Sequence, residues 1–150
     1  MIRHFLVFAS VLLFFLTMGS ARKEPAAPFG LMVEFIREPA GVRIMDLKPE
    51  FTWIVPAEQG MQKAYQLIIS SDRHKSGTNY GDVWDSGLIS STRSAEIEAG
   101  VILKPNTEYF WKVRIRNEKN RLSGYSDIQA FTTGDPKGYS TTANLFVYSL

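Results

Sequence analysis

Between Tyr109 and Arg116 the chain alternates strictly. Tyr109, Trp111, Val113 and Ile115 take one set of positions, and Phe110, Lys112, Arg114 and Arg116 take the other. Successive side chains on a strand point to opposite faces, so this stretch predicts a strand with an apolar inner face and a cationic, solvated outer one. The same period of two recurs at 64–70, with Tyr65, Leu67 and Ile69 on one face, and at 50–55, where Phe51, Trp53 and Val55 alternate before Pro56 ends the run. Shorter apolar runs predict strands at 31–36, at 83–89 across an interrupting Asp-Ser-Gly, at 94–99 before Gly100, and at 125–133. The longest strand spans 107–117 and leads into a hairpin turn at 117–120, whereas the Gly-, Asn- and charge-rich stretch 72–82 reads as a loop. No helical period of useful length appears beyond the first twenty residues. Seven short strands separated by turn residues predict an all-β fold, a seven-stranded β-sandwich.

Four aromatic residues define the expected core: Trp53, Tyr65, Tyr109 and Trp111. Each sits in the apolar set of its strand, so the tryptophans read as packed between sheets rather than as platforms for a sugar ring. Tyr109 has a further role. Leu103, Pro105 and Tyr109 form the pattern of a tyrosine corner, in which the phenol bonds back to backbone a few residues upstream and pins the crossover between sheets.

The two ends of the chain read differently from its middle. Residues 1–21 open with Arg3 and His4, continue with an apolar run from Phe5 to Leu16, and close on the small residues Gly19, Ser20 and Ala21. That is the pattern of a secretory signal peptide cleaved after Ala21. Residues 22–28 read as a Pro-rich linker, 29–134 as the sandwich, and 135–150 as a linker and the start of a truncated following β-domain, because the last residues are apolar. The sequence contains no cysteine. A lipoprotein anchor needs a cysteine, and a small extracellular animal domain usually carries disulfides. Bacterial export to the periplasm or beyond is therefore the expected route, with no membrane association after signal cleavage. Removing residues 1–21 takes Arg3 away and leaves 16 basic against 15 acidic side chains. So balanced a charge gives no expectation of nucleic acid as a partner.

Candidate chemistry is sparse. Glu96 and Glu98, two residues apart on one predicted strand face, have the bare spacing of a glycosidase pair but no cleft to bury substrate. Asp82 and Asp85 flank Val83 and Trp84 and read as turn caps rather than Ca²⁺ ligands. His74 is the single histidine beyond residue 21, too few for a transition-metal site of ordinary ligand count. No catalytic residue, metal ligand or cofactor-binding residue is assigned. The outer stripe Lys112, Arg114 and Arg116 faces the expected path of Leu122–Ser126. There Tyr125 could stack against Arg114 or Arg116 in a cation–π ladder, with Ser123 and Ser126 bonding nearby backbone.

The chain resembles a fibronectin type III domain over about residues 28–134, on the marks of Trp53 followed by Pro56, Tyr65 in the next strand, and "LKPNTEYFWKVR". More closely, "PEFTWIVP", "QKAYQLIISS", "DVWDSGLISS", "LKPNTEYFWKVRIRN" and "AFTTG" resemble the N-terminal β-domain of bacterial α-L-rhamnosidases. Tyr125 stands where that resemblance leads one to expect Trp. The resemblance implies a non-catalytic accessory module, with the acidic catalytic residues in an (α/α)₆ barrel further along a longer polypeptide. Its implied partners are the downstream domains, or a glycan. The alternative is a free-standing secreted binding or adhesion module of the same fold.

Overall fold

A computed structural model describes residues 24–138. The expected signal peptide, the first linker residues and the apolar residues near the end of the chain lie outside the described residues. Within them the strands are β1 (Phe29–Val33), β2 (Arg43–Ile44), β3 (Glu50–Ile54), β4 (Gln62–Ser70), β5 (Trp84–Asp85), β6 (Ile89–Ser90), β7 (Ile97–Glu98), β8 (Glu108–Asn117) and β9 (Gln129–Thr133). They form two sheets. One has the order β1-β3-β7, and the other β2-β9-β8-β4-β5, with β6 also paired to β4. The all-β sandwich is therefore present, built from nine strands rather than seven.

The long central pair sets the register. β4 and β8 run antiparallel with Tyr65 opposite Ile115, Leu67 opposite Val113, and Ile69 opposite Trp111. All six of these side chains point inward and are buried. From the facing sheet, Val33, Phe51 and Trp53 complete the same core. The aromatic rings meet edge to face, Phe51 on Trp111 at 4.7 Å and Trp53 on Tyr65 at 5.2 Å between centroids, a geometry that sets a positive ring edge against a negative face. Thus Trp53, Tyr65, Tyr109 and Trp111 all lie in the core.

Both core tryptophans keep a polar edge, and a glutamine satisfies each. Trp53 Nε1 donates to Gln62 Oε1 at 2.9 Å, and the Gln62 amide donates in turn to the carbonyls of Ser91 and Arg93. Trp111 Nε1 donates to Gln129 Oε1 at 3.0 Å, and the Gln129 amide donates to the carbonyls of Leu31 and Arg37. A buried indole N–H without an acceptor is costly. Here each one is answered by a side chain that also straps a neighbouring segment to the core. Tyr109 makes the expected corner, its phenol oxygen accepting the Lys104 backbone N–H at 3.0 Å.

Four local expectations need correction. The first strand stops at Val33 instead of Ile36, because Glu34 and Phe35 both adopt left-handed backbone (φ 50° and 59°) and Val33 bridges back to Ile36. Glu34 is held there by its side chain, which accepts the Glu50 N–H at 2.7 Å. Arg43–Ile44, which carries no alternation long enough to notice, adds as a parallel strand beside β9. The stretch 72–82 contains a short helix, α1 (Arg73–Gly77), capped by Asp72, whose carboxylate accepts the Lys75 N–H at 2.9 Å. Finally, the last strand begins at Gln129, and residues 123–128 take a different course beside β8.

One end of the sandwich collects the ends of β1, β4, β7 and β9 with the starts of β3 and β8, as the pairings Val33 with Phe51, Glu50 with Glu98, and Glu108 with Thr132 require. The chain leaves the sheet at this exit end. There Gly134 N–H donates to Ile44 O at 2.8 Å, and Asn106 N–H donates to Gly134 O at 3.3 Å.

Candidate functional site

The outer face of β8 gathers the polar chemistry. Residues 122–126 run along β8 beyond the end of β9, and their serines explain how a non-strand segment can do so. Ser123 donates its N–H to Ile115 O and accepts the Ile115 N–H on its hydroxyl; Ser126 does the same with Val113. The hydroxyls then donate to the carbonyls of Gly124 and Asp127. Three residues of this segment thereby match two residues of β8, with a side-chain oxygen standing in for the missing backbone acceptor. The extra residue of each step leaves Tyr125 over the outer face.

Tyr125 lies between two cations. Lys112 Nζ is 5.0 Å and Arg114 Cζ 4.7 Å from the ring centroid. Arg114 also donates from Nε and Nη2 to Gln66 Oε1, at 2.9 and 2.6 Å, and Gln66 Nε2 donates to Asp85. A row of polar contacts therefore crosses four neighbouring segments, from Asp85 on β5 through Gln66 on β4 and Arg114 on β8 to Tyr125. Arg116 lies on the same face but is bridged to Leu122, and the ring contacts fall on Lys112 and Arg114.

Lys112 is not the solvated cation that the alternation suggests: only 5% of it is exposed. Its neighbour across the ladder, Ile68, is buried although it too points to the outer face. Gly81, in the loop after α1, lies close against Ile68, and the Tyr125 ring stands against the Lys112 ammonium. Burial lowers the Lys112 pKa, and burial likewise raises that of the Tyr125 phenol against the opposing pull of Arg114.

A second polar cluster fixes the loop between β4 and β5. Asp82 accepts the Ser71 N–H at 2.9 Å, the Ser71 hydroxyl at 2.7 Å and the Lys75 ammonium at 2.7 Å. Desolvation pushes the Asp82 pKa up, but these three donors outweigh it and hold the carboxyl down at about 2. The hydrogen bond to Asp82 raises the Lys75 pKa. Gly81 is required beside this cluster, since a Cβ there would sit 2.5 Å from the Trp84 carbonyl oxygen. Asp85 accepts the Gly87 N–H at 2.8 Å as well as Gln66. Both aspartates thus serve as turn acceptors.

The other candidates are not brought together. Glu96 stands outside β7 with left-handed backbone (φ 55°), and its carboxylate is 4.0 Å from Arg93. Glu98 is on β7 and pairs with Lys48. The two carboxylates therefore do not share a strand face as the sequence spacing suggested. His74 is exposed on α1. Among the described residues, no three His, Cys, Asp or Glu side chains form a group able to hold a metal ion.

This combination defines an immunoglobulin-like domain whose polar side chains mainly tie its own strands and loops together. The sequence pattern of the family described as Rha78A-like, N-terminal immunoglobulin domain matches residues 29–136, and the chain belongs to that family. It is 33% identical over 96 residues to an α-L-rhamnosidase of Formosa agariphila, a match that covers 62% of this chain and 10% of that protein. It is 35% identical over 105 residues to an α-L-rhamnosidase of Streptomyces avermitilis, covering 68% of this chain and 10% of the relative. The structure of α-L-rhamnosidase from "Dictyoglumus thermophilum" superposes with a TM-score of 0.67 at 35% identity, over 75% of this chain and 13% of that one. The chain spans about a tenth of the length of the curated relatives it matches.

Proposed function

We propose that this domain is a non-catalytic accessory module of a longer α-L-rhamnosidase-like polypeptide that is exported from a bacterial cell. The observation that carries the reading is the position of the match. Residues 29–136 correspond to a family defined as an N-terminal domain, and most of each curated relative lies outside the matched segment. The polar groups described above support it, since they are spent on backbone and on one another. In this reading the domains that follow are the partner, and residues 1–21 direct export.

The test is a purified chain beginning at Arg22, offered an aryl α-L-rhamnoside. No turnover above buffer is expected. Turnover that is lost in Glu96→Gln or Glu98→Gln would overturn the non-catalytic assignment. A glycan as direct ligand belongs to the competing reading of a free-standing binding module, and retention of the same chain on an immobilised rhamnose-containing glycan would favour that reading. Export is checked separately: the product released from a bacterial host is expected to begin at Arg22.

A further inference from the structure

A further group of polar side chains gathers at the end of the sandwich where β8 ends and β4 begins. A pocket of about 240 Å³ opens there. It is lined by Glu24 ahead of β1, by Glu58 and Gln59 of the short 3-10 turn Ala57–Gln59, by Asn117 at the end of β8, and by Lys119 and Arg121 beyond it. The volume lies below the roughly 300–1,000 Å³ of sites that hold drug-sized ligands, so the pocket suits a small molecule.

Gln59 and Asn117 are both buried, 7% and 4% exposed. A chain of amides links them. Arg121 N–H donates to Asn117 Oδ1 at 2.9 Å, and Asn117 Nδ2 donates to Gln59 Oε1 at 3.0 Å. The chain ends on Gln59 Nε2, whose hydrogens meet no acceptor among the described residues. This nitrogen is not sealed off: among the described residues the buried side-chain atom without a partner is the Ser76 hydroxyl. The Gln59 donors therefore open on the pocket that the residue lines. A buried amide is costly unless something accepts from it, and the hydrogen-bonded chain behind Gln59 polarises it into a stronger donor.

The charges around this amide are also unspent. Ion pairs among the described residues join Lys48 to Glu98, Lys75 to Asp72 and Asp82, and Arg93 to Glu96. Glu24, Glu58 and Lys119 belong to none of them, although they line one small pocket. The groove at the exit end differs in this respect, because Asp82 in its lining is already answered by Ser71 and Lys75. In the Gln59 pocket two acidic and two basic side chains cancel, so it selects no ion of either sign. It offers donors to an anionic group, from Gln59 and Lys119, and acceptors to a cationic one, from Glu24 and Glu58. A zwitterion uses both sets through charge-assisted hydrogen bonds, which are about twice as strong as those of neutral hydroxyl groups.

We infer that this pocket binds a small zwitterion, an amino acid or dipeptide, with its carboxylate on Gln59 Nε2 and Lys119 and its ammonium on Glu24 and Glu58. The inference goes beyond the accessory-module reading and does not depend on it, since every group it uses lies within this domain.

The chain from Arg22 to Leu150 keeps all of these residues. It is titrated with glycylglycine while the NMR signals of the Gln59 side-chain amide are followed. A saturable shift is expected. Acetate and ethylammonium, which each carry one of the two charges, are expected to bind at least about tenfold more weakly, as the loss of a charge-assisted contact implies. Lys119→Ala and Glu58→Gln alter exposed side chains outside the core, and each is expected to weaken glycylglycine about tenfold. Gln59→Leu is expected to abolish binding, but it also breaks the bond to Asn117, so the two surface variants decide. Lys104→Ala, exposed near the exit end, is expected to leave binding unchanged. No saturable shift up to about 100 mM glycylglycine, ten times the weakest affinity that would matter, would overturn the inference. So would equal binding of acetate, which would make the pocket a site for simple anions, or equal binding of glycerol, which would make it a site for neutral polyols. Undiminished binding by both Lys119→Ala and Glu58→Gln would overturn it as well. None of these outcomes bears on rhamnoside turnover, so this inference and the proposed function fail independently.

Discussion

The two faces of β8 use aromatic side chains in opposite ways. Inward, Trp111 is fully buried, stacks edge-on against Phe51, and has one polar atom answered by Gln129. Its contribution is apolar area removed from water and close packing, which the alternation of the strand supplies directly. Outward, Tyr125 is half-buried and its contacts are two cations, Lys112 and Arg114. It reaches them because Ser123 and Ser126 hold its segment against β8. The inner contact depends on one strand's period, whereas the outer one depends on three separate segments arriving in register. An outer-face contact of this kind is worth roughly 0.5–1 kcal/mol at an exposed site, well below the burial of an indole.

The largest expected effect tests that contrast. Trp111→Ala is expected to cost about 3–5 kcal/mol, as truncating a large core aromatic does, a substantial part of a small domain's stability. Tyr125→Ala is expected to cost no more than about half of that, since the ring is only partly buried. Chemical denaturation of both variants beside the parent chain makes the comparison. If the two variants lose equal stability, the outer ring is a core residue in energetic terms and the distinction between the faces fails.

An intermediate effect comes from the loop cluster that lies beyond both faces. The Asp82 carboxyl is held at about 2 in the folded chain, against about 3.9 for an unperturbed aspartate. A depressed folded pKa gives stability that is present above about pH 4 and is lost as pH falls toward 2. Asp82→Asn is therefore expected to lower the melting temperature at neutral pH and to flatten the acid limb between about pH 5 and 2. Melting temperatures of parent and variant across that range decide the matter. Parallel acid limbs would mean that the ionised Asp82 carboxylate is no better stabilised in the folded chain than in the unfolded one.

How much of this is legible in the sequence follows from range. A period of two, which each strand carries within itself, places Tyr65, Leu67, Ile69, Tyr109, Trp111, Val113 and Ile115 inward. The tyrosine corner is equally local, because Lys104 and Tyr109 are five residues apart. The glutamine straps are not: Gln129 reaches Leu31 and Arg37, about ninety residues away, and nothing in the sequence around Gln62 or Gln129 marks those residues as partners of an indole. The helix α1 does have a signal, an aspartate at the N-cap position followed by several residues free of proline and β-branching, but five residues are too few for a period. Lys112 departs from its pattern for a reason of range as well. Its own strand says outward, and outward usually means solvated, but the Tyr125 segment closes over it from elsewhere in the chain.

That reversal gives the smallest and sharpest test of the outer face. Burial makes the folded chain a poorer host for the Lys112 charge than the unfolded one, as its lowered pKa records. For a base with a depressed folded pKa, the unfolded state holds more protons over the interval up to the ordinary lysine value near 10.4, so stability rises with pH through that interval. Lys112→Met keeps the length and apolar stem, removes the charge, and gives up the contact with Tyr125. The two changes oppose each other, and the net effect at pH 7 is expected to lie within about 1 kcal/mol of zero, on the stabilising side. The parent should then recover relative to the variant as pH is raised toward 10. Unfolding curves at pH 7 and at successive steps above it check both parts. A loss in Lys112→Met larger than that in Tyr125→Ala would show that the ammonium–ring attraction outweighs the cost of burying the charge. In that case the outer face would be held mainly by its cations, and the contrast drawn between the two faces of β8 would have to be one of kind and no longer of size.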